Sequence, residues 1–467
     1  MRQLHLAELR DSWSAWLGVC IAFVMINASL ALSALAMLSG RQMLADGTLA
    51  RTDSTALVYL PGLNIVFCTL VGASVIGAST SLVVDSRRGS LARLALSGAT
   101  PSQVVSTVMT QLVVVSLACA VLGDVLAYAV LQPTLDVLAS ERSAELVPPT
   151  AVYALWPALL ANLLAVGLAL VGGFRQAHRA SRIPPVEALR QASGGGQERM
   201  TLGRWLVAGA CVAFVGLAYA YIPAITATRD KETISQLFQG SAILLIVTAV
   251  LLAQLAPLLV GPLTRAWTRL VPAFDPSWQL VRSTTMAKGA RLTKSVVPVM
   301  MAIGLLFGMT ALVDTLASSG SANGIDGSLE HAGLLSMITF FGLPLLIAFA
   351  GSVGSLIMMA KQRDAELALS GIVGTTPAQR LAMPVMEGVI IAITGALLSL
   401  VMAAVCIGYL AIGFPAAGYA FALEPSYATF AGALAVCVLI TVAATLLPTL
   451  PSLRKPEPKV IARLVAE

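Results

Sequence analysis

Ten runs of predominantly apolar residues, each about 20 residues or longer, leave this chain few ways to fold. Each is as long as a helix must be to cross roughly 30 Å of hydrocarbon at about 1.5 Å per residue. Their approximate spans are 13–39, 58–84, 103–132, 150–174, 204–226, 234–264, 294–318, 332–360, 382–413 and 427–450. Composition agrees: of 467 residues 57% are hydrophobic and only 11% charged, and the mean hydropathy is +0.86. That is more apolar surface than a soluble core of this size needs. The predicted fold class is an all-α polytopic membrane protein with ten transmembrane helices. Glycines and prolines inside the runs (Gly72, Gly77, Pro257, Pro344, Gly351, Gly354) are compatible with this, because neighbouring helices satisfy the backbone groups they free.

The charges test the count, since basic residues are retained in short cytoplasmic loops. With both termini placed in the cytoplasm, only Arg41, Arg51, Arg142, Arg229 and Lys231 of the 29 basic residues fall on the outer side. One helix more or fewer would scramble that segregation. The formal net charge of +6 therefore reflects topology, not nucleic-acid binding. The basic start and Ala34-Leu35-Ala36 resemble a signal peptide with its cleavage site, but the first apolar run is longer than a usual signal core and reads as a retained helix. All six cysteines (Cys20, Cys68, Cys119, Cys211, Cys406, Cys437) lie in apolar runs without metal-type spacing and read as small packing residues.

Between the second and third runs the chain reads RRGSLARLALSGATPSQVV from residue 87, and from residue 363 it reads RDAELALSGIVGTTPAQRL. At a constant offset of 276, Arg87, Leu91, Ala92, Gly98, Thr100, Pro101 and Gln103 recur as Arg363, Leu367, Ala368, Gly374, Thr376, Pro377 and Gln379. The offset pairs helices one to four with helices seven to ten and leaves two as a link. The expected organisation is a first four-helix repeat at 1–190, a two-helix linker at 191–272 and a second repeat at 273–467. Six helices separate the starts of the repeats, so the copies are parallel, related by an axis along the membrane normal.

Each repeated segment reads as a short surface helix, a sharp turn and a fresh start into the membrane. Leu91, Leu94 and Ala95, and likewise Leu367 with Gly371, fall at helical spacing on one face, and Arg88 and Arg93, or Arg363 and Asp364, remain for water or a partner. In a docking contact Leu91, Leu94 and Leu367 are the expected anchors in a partner's apolar groove, with Arg88, Arg93, Arg363 and Glu366 at the exposed rim. Gly98 and Gly374 can end the short helix in a left-handed conformation. Thr100 before Pro101, and Thr376 before Pro377, supply an N-cap and a first-turn proline.

These segments, together with ASRIPPVEALR at 180–190, resemble the FtsX-like permease family of ABC transporters, here in a duplicated ten-helix form. The resemblance implies a non-catalytic MacB-type permease whose coupling helices, near 87–101 and 363–377, dock on a separate ATPase. It implies two copies of that ATPase on one pseudo-dimeric permease, with ATP and Mg bound by the partner and no cofactor in this chain. A bacterial plasma membrane, lipid contact and a role in efflux follow from the same likeness. Two departures stand out: Ser90 lies where the second copy has Glu366, and neither the loop near 40–57 nor that near 319–331 can fold as an extracytoplasmic domain.

No phosphate-cradling Gly-x-x-x-x-Gly-Lys-[Ser/Thr] occurs, so energy must come from elsewhere. Asp124 and Glu387 are the main ionisable candidates within the apolar runs, where burial is costly. They leave open an ion-coupled secondary transporter with one of them as proton site. Glu387 also suits bracing of an inner loop, and Asp124 a packing hydrogen bond. A membrane scaffold regulating a cell-envelope enzyme is the third reading. Asn27, Asn64 and Asn162 suit interhelical hydrogen bonds.

Overall fold

Helix follows the apolar runs closely. The computed structural model describes residues 13–47, 55–86, 91, 96–140, 150–181, 200–227, 231–272, 276–323, 328–423 and 427–450. The first half holds α1 (Trp13–Ala45), α2 (Leu60–Ser86, entered through a π-helical turn at Thr55–Tyr59), α3 (Pro101–Ser140) and α4 (Leu155–Ser181). Then come α5 (Leu202–Ile225), α6 (Lys231–Leu270) and a short α7 (Pro276–Ala287). The second half holds α8 (Gly289–Ala322), α9 (Ser328–Met358), a short α10 (Ala360–Ile372), α11 (Pro377–Ala416) and α12 (Tyr427–Leu446). Among the described residues ten helices are long and apolar enough to cross a membrane, all but α7 and α10.

The duplication is visible in the helix bounds. α1 and α8 start 276 residues apart, and α3 and α11, each of 40 residues, start and end at that same offset. Within each half the first helix packs centrally, α1 against α2, α3 and α4, and α8 against α9 and α11. At about 60 Å, α3 and α11 exceed the hydrocarbon layer and must project from it. This is why the expected spans 103–132 and 382–413 fall short of the observed helices.

Buried hydroxyls in such helices need local partners, since no water competes for them. Many find them one turn back: Ser33 donates to the Ser29 carbonyl at 2.8 Å, Thr80 to Ile76 at 2.7 Å and Thr441 to Cys437 at 2.7 Å. Asn27 does likewise, donating to the Phe23 carbonyl at 2.8 Å, a bond within its own helix and not the expected bond between helices.

The halves meet along α2 and α9. Val75 and Gly351, equivalent by the 276-residue offset, touch each other so closely that a Cβ on Gly351 would collide with the valine, which places both on the local two-fold axis. Phe67 and Phe341 stack beside them, centroids 6.2 Å apart. On one side of the axis α1 crosses α9 with Gly18 against Gly354, where a Cβ on either would strike the other's carbonyl. The two-fold equivalent positions are Lys294 and Ala78, and there α8 touches α2 only lightly.

The linking helices attach to the second half. α6 packs against α8 and α11, with Thr264 and Thr394 hydroxyls 3.2 Å apart and Trp267 Nε1 donating to Thr394 at 3.0 Å. Tyr219 of α5 donates to the Val405 carbonyl of α11 at 2.6 Å. The rest of α5 turns Trp205, Leu206, Phe214 and Leu217 outward, an apolar surface suited to lipid.

Candidate functional site

Each half reverses once between its second and third crossings, and the two reversals are built alike. α10 stops at Gly374, whose φ of 105° lies in the left-handed region that a Cβ disfavours. The Gly374 N–H donates to the Gly371 carbonyl and the Thr375 N–H to the Ser370 carbonyl, both at 3.1 Å, which is the bond pair of a Schellman turn. Thr376 then caps α11. Its Oγ1 accepts from the Gln379 N–H at 3.3 Å, and Gln379 Oε1 accepts from the Thr376 N–H at 3.0 Å. Pro377 occupies the first turn, where its missing N–H leaves no bond unmade.

The first half repeats the left-handed glycine and the cap. Gly98 has φ 97°; the Gln103 N–H donates to Thr100 Oγ1 at 3.4 Å and the Thr100 N–H to Gln103 Oε1 at 2.9 Å, with Pro101 opening α3. Both turns lie at the surface, with Gly98, Pro101, Gly374 and Pro377 exposed.

The expected outward anchors do not point outward. Leu91 and Leu367 are buried; Leu94 and Arg88 lie outside the described residues. The apolar side chains exposed along α10 and its turn are Leu369, Ile372 and Val373, the last at 88% exposure, spaced as one face of a helix. Leu96 is their exposed counterpart in the first half. The helix is inverted relative to the pattern of a soluble surface helix because Arg363 and Glu366 have partners within the bundle.

Those partners form an ionic cluster. Arg363, expected at an exposed rim, is only 2% exposed and forks onto Glu387 of α11, its Nε donating to Oε2 at 2.8 Å and its Nη2 to Oε1 at 3.4 Å. Its Nη1 donates to the Leu356 carbonyl at 3.3 Å. Glu366 accepts from Arg291 Nη1 at 2.7 Å and pairs with Lys288 Nζ at 2.5 Å, while Arg291 Nη2 reaches the Met359 carbonyl at 3.4 Å. α10 is thereby tied to the start of α8 and to α11. Glu387 braces the segment that holds α10, as one reading of the sequence expects, through a partner 24 residues away that spacing alone does not reveal. Lys288 and Arg291 escape a reading of the sequence; their only signal is a pair of cations three residues apart just ahead of an apolar run.

Asp124 lies elsewhere. Its Oδ2 accepts from Asn162 Nδ2 at 2.8 Å, joining α3 to α4, and one turn on Tyr128 donates to the Ala154 carbonyl at 2.8 Å. This is a packing hydrogen bond between helices, remote from the turns and from Glu387.

A family model described as FtsX-like permease C-terminal matches residues 63–185 and again residues 338–456, together more than half of the chain. The two matches start 275 residues apart, and each covers most or all of the second, third and fourth crossings of one half. No curated protein matches the sequence.

Proposed function

We propose, because the chain belongs to the FtsX-like permease family, that it is the membrane subunit of an ABC transporter. In this reading it couples ATP hydrolysis by a separate ATPase to export, extraction or mechanical signalling of an amphipathic or lipophilic substrate. The observation that carries it is the pair of exposed turns, one per half, that share a left-handed glycine and a Thr-Gln capping box, each beside exposed apolar side chains: Leu96 in the first and Leu369, Ile372 and Val373 in the second. Apolar side chains on a short exposed helix are costly in water unless a partner covers them. In this proposal the partner is the ATPase, which also supplies the ATP and Mg sites, and the turns face the cytoplasm of a bacterial plasma membrane. Two turns on one chain call for two ATPases. The short outer connections favour a substrate drawn from the bilayer over a large folded ligand.

The ion-coupled alternative gains nothing from Glu387, whose carboxylate is engaged by Arg363. Co-purification with the candidate ATPase tests the proposal, with substrate-stimulated hydrolysis as readout. One permease chain should carry two ATPases, and Ile372→Asp with Val373→Asp should release at least one of them while membrane insertion persists. Retention of both ATPases by that variant would move the docking surface away from the turns, and a complex containing two permease chains would end the pseudo-dimer reading.

A further inference from the structure

We propose that the second half carries, between α7 and α10, a binding site for the phosphate head group of an anionic lipid. The position comes first. α7 is too short to cross a membrane and directly precedes the crossing helix α8. It buries Ser277, Val281 and Thr285, one face of a helix, and exposes Leu280; just before it Leu270 and Val271 are exposed too. Trp278 packs near Trp267, ring centroids 6.3 Å apart, and Arg265, Arg269 and Arg282 flank the pair in sequence. Tryptophan, exposed leucine and arginine on a short amphipathic helix suit the head-group layer of a membrane.

Charge comes second. Among the described residues, a pocket between α7, α8, α10 and α11 is lined by Lys288, Arg291 and Arg363 and by two carboxylates, Glu366 and Glu387. Arg363 and Glu387 neutralise each other, so Lys288 and Arg291 share the single charge of Glu366. One guanidinium donor is left over: Arg291 Nε is buried without a hydrogen-bond acceptor. A buried donor without a partner is unfavourable, and a phosphodiester at the pocket supplies the missing negative charge for the Lys288 and Arg291 side chains. Leu292 and Met383 add apolar lining to the pocket, which suits the glycerol ester region of a lipid better than a hydrated soluble anion.

The test uses the full chain, purified in mild detergent and equilibrated with equal amounts of phosphatidylglycerol and phosphatidylcholine, with bound lipid read by native mass spectrometry. Phosphatidylglycerol should be retained in preference, and Lys288→Gln with Arg291→Gln should lower its occupancy about fivefold for each cation removed. That variant leaves Glu366 unpaired and can weaken the fold, so Glu366→Gln is the second arm. It releases both cations from their carboxylate and should raise phosphatidylglycerol retention by a similar factor. No preference in the native chain, or an unchanged or lower retention in Glu366→Gln, overturns the proposal. Excess inorganic phosphate separates the two sources of the same chemistry. Retention of the lipid against phosphate supports a head-group site, and complete displacement assigns the pocket to a soluble anion and overturns the lipid reading.

Discussion

The two halves share their turns and differ in what lies beneath them. Around the second turn stand Lys288, Arg291, Arg363, Glu366 and Glu387; at the equivalent positions of the first half the sequence has Ser12, Ala15, Arg87, Ser90 and Gln111. Only the arginine is kept. The capped turn persists in both copies because it is fixed by local chemistry, a left-handed glycine and a reciprocal Thr-Gln cap. The bracing relies on side chains from several helices and has been retained or acquired on one side alone. The two halves are therefore held unequally: ion pairs tie α10 to α8 and α11, and the residues at the matching positions of the first half cannot form the same ionic linkage.

The largest test of this contrast is Glu387→Ala. It leaves Arg363, which is 2% exposed, charged and unpaired inside the bundle, a loss of about 3–5 kcal/mol. Gln111→Ala, at the matching buried position of α3, removes only a neutral group and should cost about 1–3 kcal/mol. Thermal unfolding in detergent compares the two, and Arg363→Leu combined with Glu387→Leu should recover most of the loss. Equal effects at Glu387 and Gln111 would show that the ionic cluster does not set the halves apart.

A second inequality lies at the interface between the halves. Gly18→Val forces a side chain against the Gly354 backbone at the close α1–α9 crossing and should destabilise by about 1–3 kcal/mol, because a carbonyl on a packed helix cannot step aside. The equivalent seam between α8 and α2 has Lys294 and Ala78 in place of the glycines, and Ala78→Val should cost less. The same unfolding measurement decides it. A larger loss at Ala78 would show that the light contact of that seam conceals a tighter constraint.

The crossings, the duplication and the turn chemistry are legible in the sequence for one reason: each is written in residues close along the chain. The start of α11 is marked to the residue because Thr376, Pro377 and Gln379 act within one helical turn. The orientation of α10 is not legible. Reading charge as outward and leucine as inward or partner-facing is sound for a surface helix whose charges meet water. Here Arg363 and Glu366 meet Glu387, Arg291 and Lys288 instead, partners up to 75 residues away for a direct hydrogen bond, which only the folded bundle brings near. The short helix α7 escapes notice for a related reason, since its 12 residues are neither long enough for a crossing nor apolar enough to stand out. Asp124 is conspicuous as a charge in an apolar run, yet nothing in the spacing ties it to Asn162, 38 residues on, which supplies its hydrogen bond.

The smallest effect concerns the feature the halves share. Thr100→Ala and Thr376→Ala each remove one capping oxygen from an exposed helix start, and each should cost about 1 kcal/mol, since the two capping boxes have nearly the same distances. Global unfolding should therefore not distinguish them. Hydrogen exchange should. In α11 the Arg363–Glu387 pair pins the helix ten residues beyond Pro377, so fraying begun at the uncapped start of Thr376→Ala has to stop within the first turns. In α3 the equivalent position is Gln111, whose neutral amide makes a weaker anchor than an ion pair, and the amides from Val104 to Thr107 should exchange faster in Thr100→Ala than those from Arg380 to Met383 do in Thr376→Ala. Equal local opening in both variants would mean that packing alone fixes the start of each helix, and the ionic cluster would then matter for the attachment of α10 and not for α11 itself.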